Sequence, residues 1–163
     1  MIVVVCGVAG VGKTTVGQLL AEELGWDFHD ADDFHPTGNI DKMRRGIPLT
    51  DKDREPWLER LRQLIEHCIN AGINAVFACS ALKKAYRDRL RVSEDVKFVF
   101  LRGSRARIAA QLQERRRHFV APAILDSQFD DLEEPRPPEP VLTFELMGDV
   151  RDLVAQIKTK LRR

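Results

Sequence analysis

Cysteine is scarce in this chain. The three present, Cys6, Cys68 and Cys79, are an odd number set in apolar surroundings. A disulfide framework is therefore not expected, and the reading is a cytoplasmic protein with reduced, mostly buried thiols. No cluster of cysteine and histidine with metal-ligand spacing occurs, because the four histidines are scattered. No apolar run is long enough to span a bilayer; the longest, Met1 to Gly12, has no basic leader. An excess of one charge is missing too. A formal net charge of +1 argues against a protein that lives on nucleic acid or on an anionic membrane. Repeats and low-complexity tracts are absent. What remains is an ordinary globular composition, 44% hydrophobic and 31% charged, over 163 residues. That length suits one domain, 1–163, with a sizeable core.

Against this plain background one stretch stands out. Ile2-Val3-Val4-Val5-Cys6 reads as a buried strand and breaks into Gly7-Val8-Ala9-Gly10-Val11-Gly12-Lys13-Thr14. This is the Gly-x4-Gly-Lys-Thr phosphate loop. An amphipathic stretch with Val16, Leu19, Leu20 and Leu24 on one face follows it. By chance such an octapeptide arises in roughly one chain in two hundred of this length, given glycine at about 7% of residues. Glycines let backbone N–H groups turn inward around phosphate oxygens, and the helix N-terminus adds positive potential. Residues Gly7 to Thr15 are thus the nucleotide-binding candidates. Lys13 reaches the β- and γ-phosphates, Thr14 ligates Mg²⁺, and Thr15 donates to an inner phosphate. A merely structural glycine turn is the alternative, and the flanking strand and helix disfavour it.

Apolar runs continue to alternate with amphipathic ones. Strands are expected at Trp26–Asp30, Asn74–Cys79, Lys97–Leu101 and Val141–Leu146. Helices are expected from Asp53 (as cap, with Pro56 in the first turn) to Gly72, from Lys83 to Leu90, through Ile108 and Leu112 to Arg117, and from Val150 to Leu161. The pattern predicts an α/β fold: a five-stranded parallel sheet with helices on both faces. Residues 31–52 and 118–140 read as irregular, the latter holding five of the eight prolines. In open sheets of this kind ligands bind beyond the carboxyl ends of the strands. Residues 31–52 are therefore expected on the substrate side, and 115–140 as lid and following loop.

Asp30 and Asp32 fall at the end of the second strand, two residues apart, and point to one side if the chain stays extended. Asp30 suits the water shell of Mg²⁺, and Asp32 suits the proton of an acceptor hydroxyl. A solvated acidic turn is the bland alternative.

Several further blocks then match one family. They are Asp30-x-Asp32-x-x-His35-Pro36, Asn39-Ile40-x-Lys42-Met43, Gly46-x-Pro48-Leu49 and Asp51-x-Asp53-Arg54-x-Pro56-Trp57-Leu58. With them stand Ala78-Cys79-Ser80-Ala81-Leu82-Lys83-Lys84-x-Tyr86-Arg87, His118-Phe119, Ser127-Gln128-Phe129 and Leu132-Glu133-x-Pro135. Together with the phosphate loop, these blocks make the chain resemble the gluconate kinase family. The resemblance implies a P-loop NTPase fold of the nucleoside-monophosphate-kinase type, with a lid. It implies ATP and Mg²⁺ as cofactors, D-gluconate as substrate, and a homodimer. Lys13 and Asp32 would be the catalytic residues.

Gluconate is a polyol acid, so its site needs a cation and several hydrogen-bonding groups. Arg54 would take the carboxylate bidentately, with His35, Lys42, Ser80, Arg87, His118 and Gln128 as further substrate-binding candidates. Each has a plainer reading. His35 would cap the turn before Pro36, Lys42 would be solvated, and Arg87 would lie on a wet basic face with Lys83 and Lys84. Trp57 reads as packing. Of the lid arginines, Arg115 falls at a position that is basic in the family and is the expected nucleotide contact. The chain departs from the family pattern at Gln111, Arg117 and Ala121. A kinase of another small hydroxy acid, such as shikimate, and a non-catalytic nucleotide switch are the rival readings.

Overall fold

The computed structural model describes residues 1–114, 122–146 and 148–163. In chain order the first half comprises β1 (Ile2–Cys6), α1 (Lys13–Leu24), β2 (Asp27–Asp30), a 3₁₀ turn (Ala31–Phe34), α2 (Thr37–Arg44) and α3 (Asp51–Asn70). The second half comprises β3 (Ala75–Ala78), α4 (Lys84–Leu90), β4 (Val96–Arg102), α5 (Arg105–Glu114), α6 (Pro122–Asp131), β5 (Val141–Glu145) and α7 (Val150–Leu161).

Five consecutive apolar residues make β1 a strand with no wet face, and all five are fully buried. Such a strand needs partners on both edges. Val4 stands opposite Phe77 of β3 on one side and Phe98 of β4 on the other. The complete sheet is parallel, in the order β2-β3-β1-β4-β5. Alternation along β1 assigns each residue to a face. Ile2, Val4 and Cys6 pack with Trp57, Leu61 and Ile65 of α3 and Leu90 of α4. Val3 and Val5 pack with Val16 and Leu20 of α1, Ile108 of α5, and Val154 and Ile157 of α7. The expected three-layer fold is thus the observed one.

Two local expectations are corrected. Thr50, not Asp53, is the N-cap of α3. Its hydroxyl accepts from the Asp53 N–H at 3.1 Å, while the Asp53 carboxylate accepts from the Thr50 N–H at 2.9 Å. This reciprocal box needs a residue at the cap and another three further on, so both positions carry the signal. The 118–140 stretch is also not wholly irregular, because α6 occupies its middle. Pro122 opens that helix, where the missing N–H costs nothing. Ile124, Leu125 and Phe129 then supply its apolar face. Prolines on either side had hidden this short period.

All three cysteines are unpaired and buried. Among the described residues no helix is long and apolar enough to cross a membrane. The phosphate loop follows β1 at the centre of the sheet. From there the chain passes through α1 to the β2–β3 side, while β4 and β5 lie on the other. That placement brings the ends of β1, β2 and β3 to one edge, where the site is built.

Candidate active site

The donor half is the loop from Gly7 to Thr14. Gly7 has φ 146°, and a Cβ there would stand 2.8 Å from the Leu101 carbonyl, so no larger residue fits. Its N–H donates to the Ser80 carbonyl at 3.2 Å, tying the loop to the end of β3. Val8 and Val11 bury their side chains in the core, so they offer a ligand only backbone. Gly10 carries Leu112 of α5 closely over it. Lys13 Nζ turns back to donate to the Val8 carbonyl at 2.9 Å. Burial pushes the Lys13 ammonium below the ordinary lysine value, and the Asp32 carboxylate is the largest pull against that shift. A poorly solvated ammonium beside this loop is suited to meet phosphate charge. Thr15 is exposed.

The two residues expected near Mg²⁺ lie together: Thr14 Oγ1 donates to Asp30 Oδ2 at 3.0 Å. The other Asp30 oxygen accepts from the Asp32 N–H at 3.0 Å and so caps the 3₁₀ turn. A hydroxyl and a carboxylate oxygen suit a hard divalent cation such as Mg²⁺. Among the described residues no group of three or more His, Cys, Asp or Glu side chains could hold a metal. A cation here therefore needs phosphate oxygens and water for the rest of its shell.

The candidate acceptor half is built on the 3₁₀ turn and the start of α3. The Trp57 indole, 1% exposed, donates to the Ala31 carbonyl at 2.7 Å and stacks under the His35 ring with centroids 4.4 Å apart. Asn39, buried and not singled out by the sequence reading, completes the cradle. Its amide nitrogen lies 2.8 Å from the Asp53 carbonyl and 3.2 Å from His35 Nδ1. A nitrogen that must donate to a carbonyl also donates to Nδ1, so the imidazole proton is on Nε2. That Nε2 is 3.9 Å from Asp32 Oδ1, whose side chain is 76% exposed. Burial, helped by the Arg54 charge, pushes His35 down to about 4 from an ordinary 6.5. The ring is neutral at physiological pH and presents a donor beside the Asp32 carboxylate.

This shift has a stability consequence. The unfolded chain takes up the His35 proton near 6.5, and the folded one only near 4. Between those values the unfolded state binds more protons. His35 therefore stabilises the fold fully above pH 6.5 and loses that contribution as pH falls towards 4, up to about 3 kcal/mol. Urea unfolding midpoints measured from pH 7 to 4 are expected to fall more steeply for the parent than for His35→Gln. Equal slopes would refute the assigned environment.

Arg54 is buried on the first turns of α3. Its Nη1 donates to Tyr86 Oη at 3.0 Å and its Nη2 to Asp131 Oδ2 at 2.9 Å. Other expected residues are engaged elsewhere. Lys42 holds both Asp53 oxygens, at 2.9 and 3.0 Å. Gln128 of α6 accepts from the Ala9 N–H at 2.6 Å, so it touches the phosphate loop rather than the acceptor cradle.

Arg87 is not on a wet face. It is 1% exposed, with all five N–H groups placed: on both Glu139 oxygens and on the carbonyls of Ala81, Leu82 and Glu133. No donor is left for a substrate. Ala81, held through this contact, has φ 40°, an uncommon value for a residue with a Cβ. Ser80 stands half-buried at the end of β3 and contributes its carbonyl to Gly7. Arg115, His118, Arg117 and Ala121 lie outside the described residues.

A parallel sheet, a central phosphate loop and a carboxylate-bearing turn beside it are the parts of a P-loop small-molecule kinase. Known proteins agree. The shikimate kinase family model matches residues 9–136. The chain is 41% identical over 179 positions to a probable gluconokinase of Xenopus tropicalis, covering 100% of this chain and 94% of the relative. It is 45% identical over 140 positions to a gluconokinase of Gluconobacter oxydans, covering 85% and 79%. The solved structure of a gluconokinase from Sinorhizobium meliloti superposes with a TM-score of 0.83 at 36% identity, covering 98% of this chain and 94% of that one. The chain belongs to the gluconokinase family, and this kinase family implies use of ATP.

Proposed function

We propose that the protein, as one kinase domain, transfers the γ-phosphoryl group of ATP to the C6 hydroxyl of D-gluconate, giving 6-phosphogluconate. One observation carries the reading. The exposed Asp32 carboxylate, the neutral His35 donor and the buried Arg54 guanidinium share one edge, next to the Thr14–Asp30 pair. A hydroxy acid needs that combination: a base-like oxygen for its hydroxyl, a donor for its polyol chain and a cation for its carboxylate. Relatives named gluconokinase direct the choice of acid.

Thr14 and Asp30 would hold Mg²⁺ together with the phosphates; the ion supplies charge neutralisation for phosphoryl transfer. Lys13 binds the β- and γ-phosphates through its ammonium. Asp32 accepts the hydrogen bond of the attacking hydroxyl and aligns it, and Arg54 anchors the far, acidic end. Holding the acid at one end and the hydroxyl at the other would select which hydroxyl reaches the phosphorus. A cytoplasmic setting suits the three free thiols. The test is Mg²⁺-dependent ADP release with gluconate and with shikimate. Gluconate as the better acceptor supports the reading; shikimate as the better one overturns it.

A further inference from the structure

The guanidinium of Arg54 is 8% exposed, and a cation held that far from water requires an acidic partner. That partner is Asp131, the last residue of α6, whose own side chain is 26% exposed. The other terminal nitrogen of Arg54 meets a buried hydroxyl. Tyr86, buried, accepts from Nη1 and donates on to Asp51, which Lys83 also binds at 2.9 Å. Arg54 is thus held at one terminal nitrogen by a tyrosine hydroxyl backed by Asp51 and Lys83, and at the other by a single Asp131 carboxylate oxygen.

We propose that Asp131 is a specificity-determining residue: an internal carboxylate that occupies the acid anchor on Arg54 and yields it to the carboxylate of the acceptor. The inference rests on Arg54 being the anchor for gluconate. A carboxylate binds arginine best with two parallel hydrogen bonds, and Asp131 holds one of the nitrogens needed for them. Two carboxylates crowded on one guanidinium repel each other, so the incoming acid displaces Asp131. A neutral polyol has no charge with which to make that exchange. Asp131 therefore weakens acid binding somewhat and penalises neutral look-alikes, which is discrimination built from a competing contact. The exchange takes place on an element that also touches the donor half. Gln128, three residues earlier on the same helix, holds the Ala9 N–H.

Asp131→Asn keeps the size and a carbonyl oxygen for Arg54 and removes the charge. The expected result is a KM for gluconate lowered about three- to tenfold, the scale of one charge-assisted hydrogen bond freed from competition. kcat and the KM for ATP stay unchanged, while the KM for the neutral alditol D-glucitol falls by more than that for gluconate, so the preference for the acid narrows. In an Arg54→Met background the same substitution has no effect on gluconate. An unchanged or raised gluconate KM in Asp131→Asn overturns the proposal. A second measurement on the parent protein is independent of how the variant folds. Amide exchange in residues 128–132 is expected to rise with gluconate bound and not with D-glucitol, and no rise overturns the proposal. A parent protein that releases no ADP with gluconate would instead sink the functional reading, so the two failures are distinct.

Discussion

Asp32→Ala is expected to lower gluconate-dependent ADP release by about two to four orders of magnitude, the usual worth of a positioned acid–base group. The expectation follows from where Asp32 sits. Asp30 spends its oxygens on Thr14 and on the Asp32 backbone, so it is fixed as part of the donor half. Asp32 is held by that same bond at its N–H, leaving its carboxylate on the open edge near the His35 donor. Removing the carboxylate takes away the proposed acceptor for the hydroxyl and its pull on the Lys13 ammonium, but leaves the Thr14–Asp30 bond and the loop backbone in place. ATP affinity, measured by titration calorimetry, should therefore survive. Full turnover in the variant would remove Asp32 from the mechanism, and lost ATP binding would place it in the donor half.

The second large effect is on stability. Arg87→Met is expected to destabilise the fold by about 3–5 kcal/mol, because it leaves a buried carboxylate without its partner. The Glu139 side chain is 4% exposed and takes two hydrogen bonds from Arg87, at 2.6 and 3.0 Å. The same guanidinium satisfies three backbone carbonyls, two of them in the strained turn after Ser80. For a domain of this size the loss corresponds to a fall in melting temperature of roughly 10 °C. Arg87→Met with Glu139→Leu should recover the part due to the unpaired carboxylate but not the part due to the three carbonyls that still lack their donor. A parent-like melting temperature for Arg87→Met alone would show that the arginine is not the anchor described.

Arg87 also shows where sequence reading reaches its limit. It lies in a run of basic residues that looks like a solvated face, and the partner that draws it inward is 52 residues away. Nothing local announces that pairing. The same holds for Gln128, whose partner Ala9 is 119 residues distant, and for Asp131, which no motif marks. Features carried by contiguous residues were legible. The phosphate loop between a β-branched strand and a helix, and the alternation that gives a parallel sheet, follow from local pattern and from position at strand ends. Asn39 and Tyr86 stood inside recognisable blocks. Their roles emerge only when the 3₁₀ turn is seen folded against α3, which brings His35, Asn39 and Trp57 into one stack.

The central claim is that the edge holding Asp32, His35 and Arg54 makes this phosphate loop serve a hydroxy acid. The most direct measurement is kcat/KM from Mg²⁺-dependent ADP release with D-gluconate, shikimate and D-glucitol as acceptors, beside a reaction with none. The account predicts release that depends on gluconate and far exceeds that with shikimate, D-glucitol or no acceptor. A higher kcat/KM for shikimate, or release at the same rate without any acceptor, would contradict it.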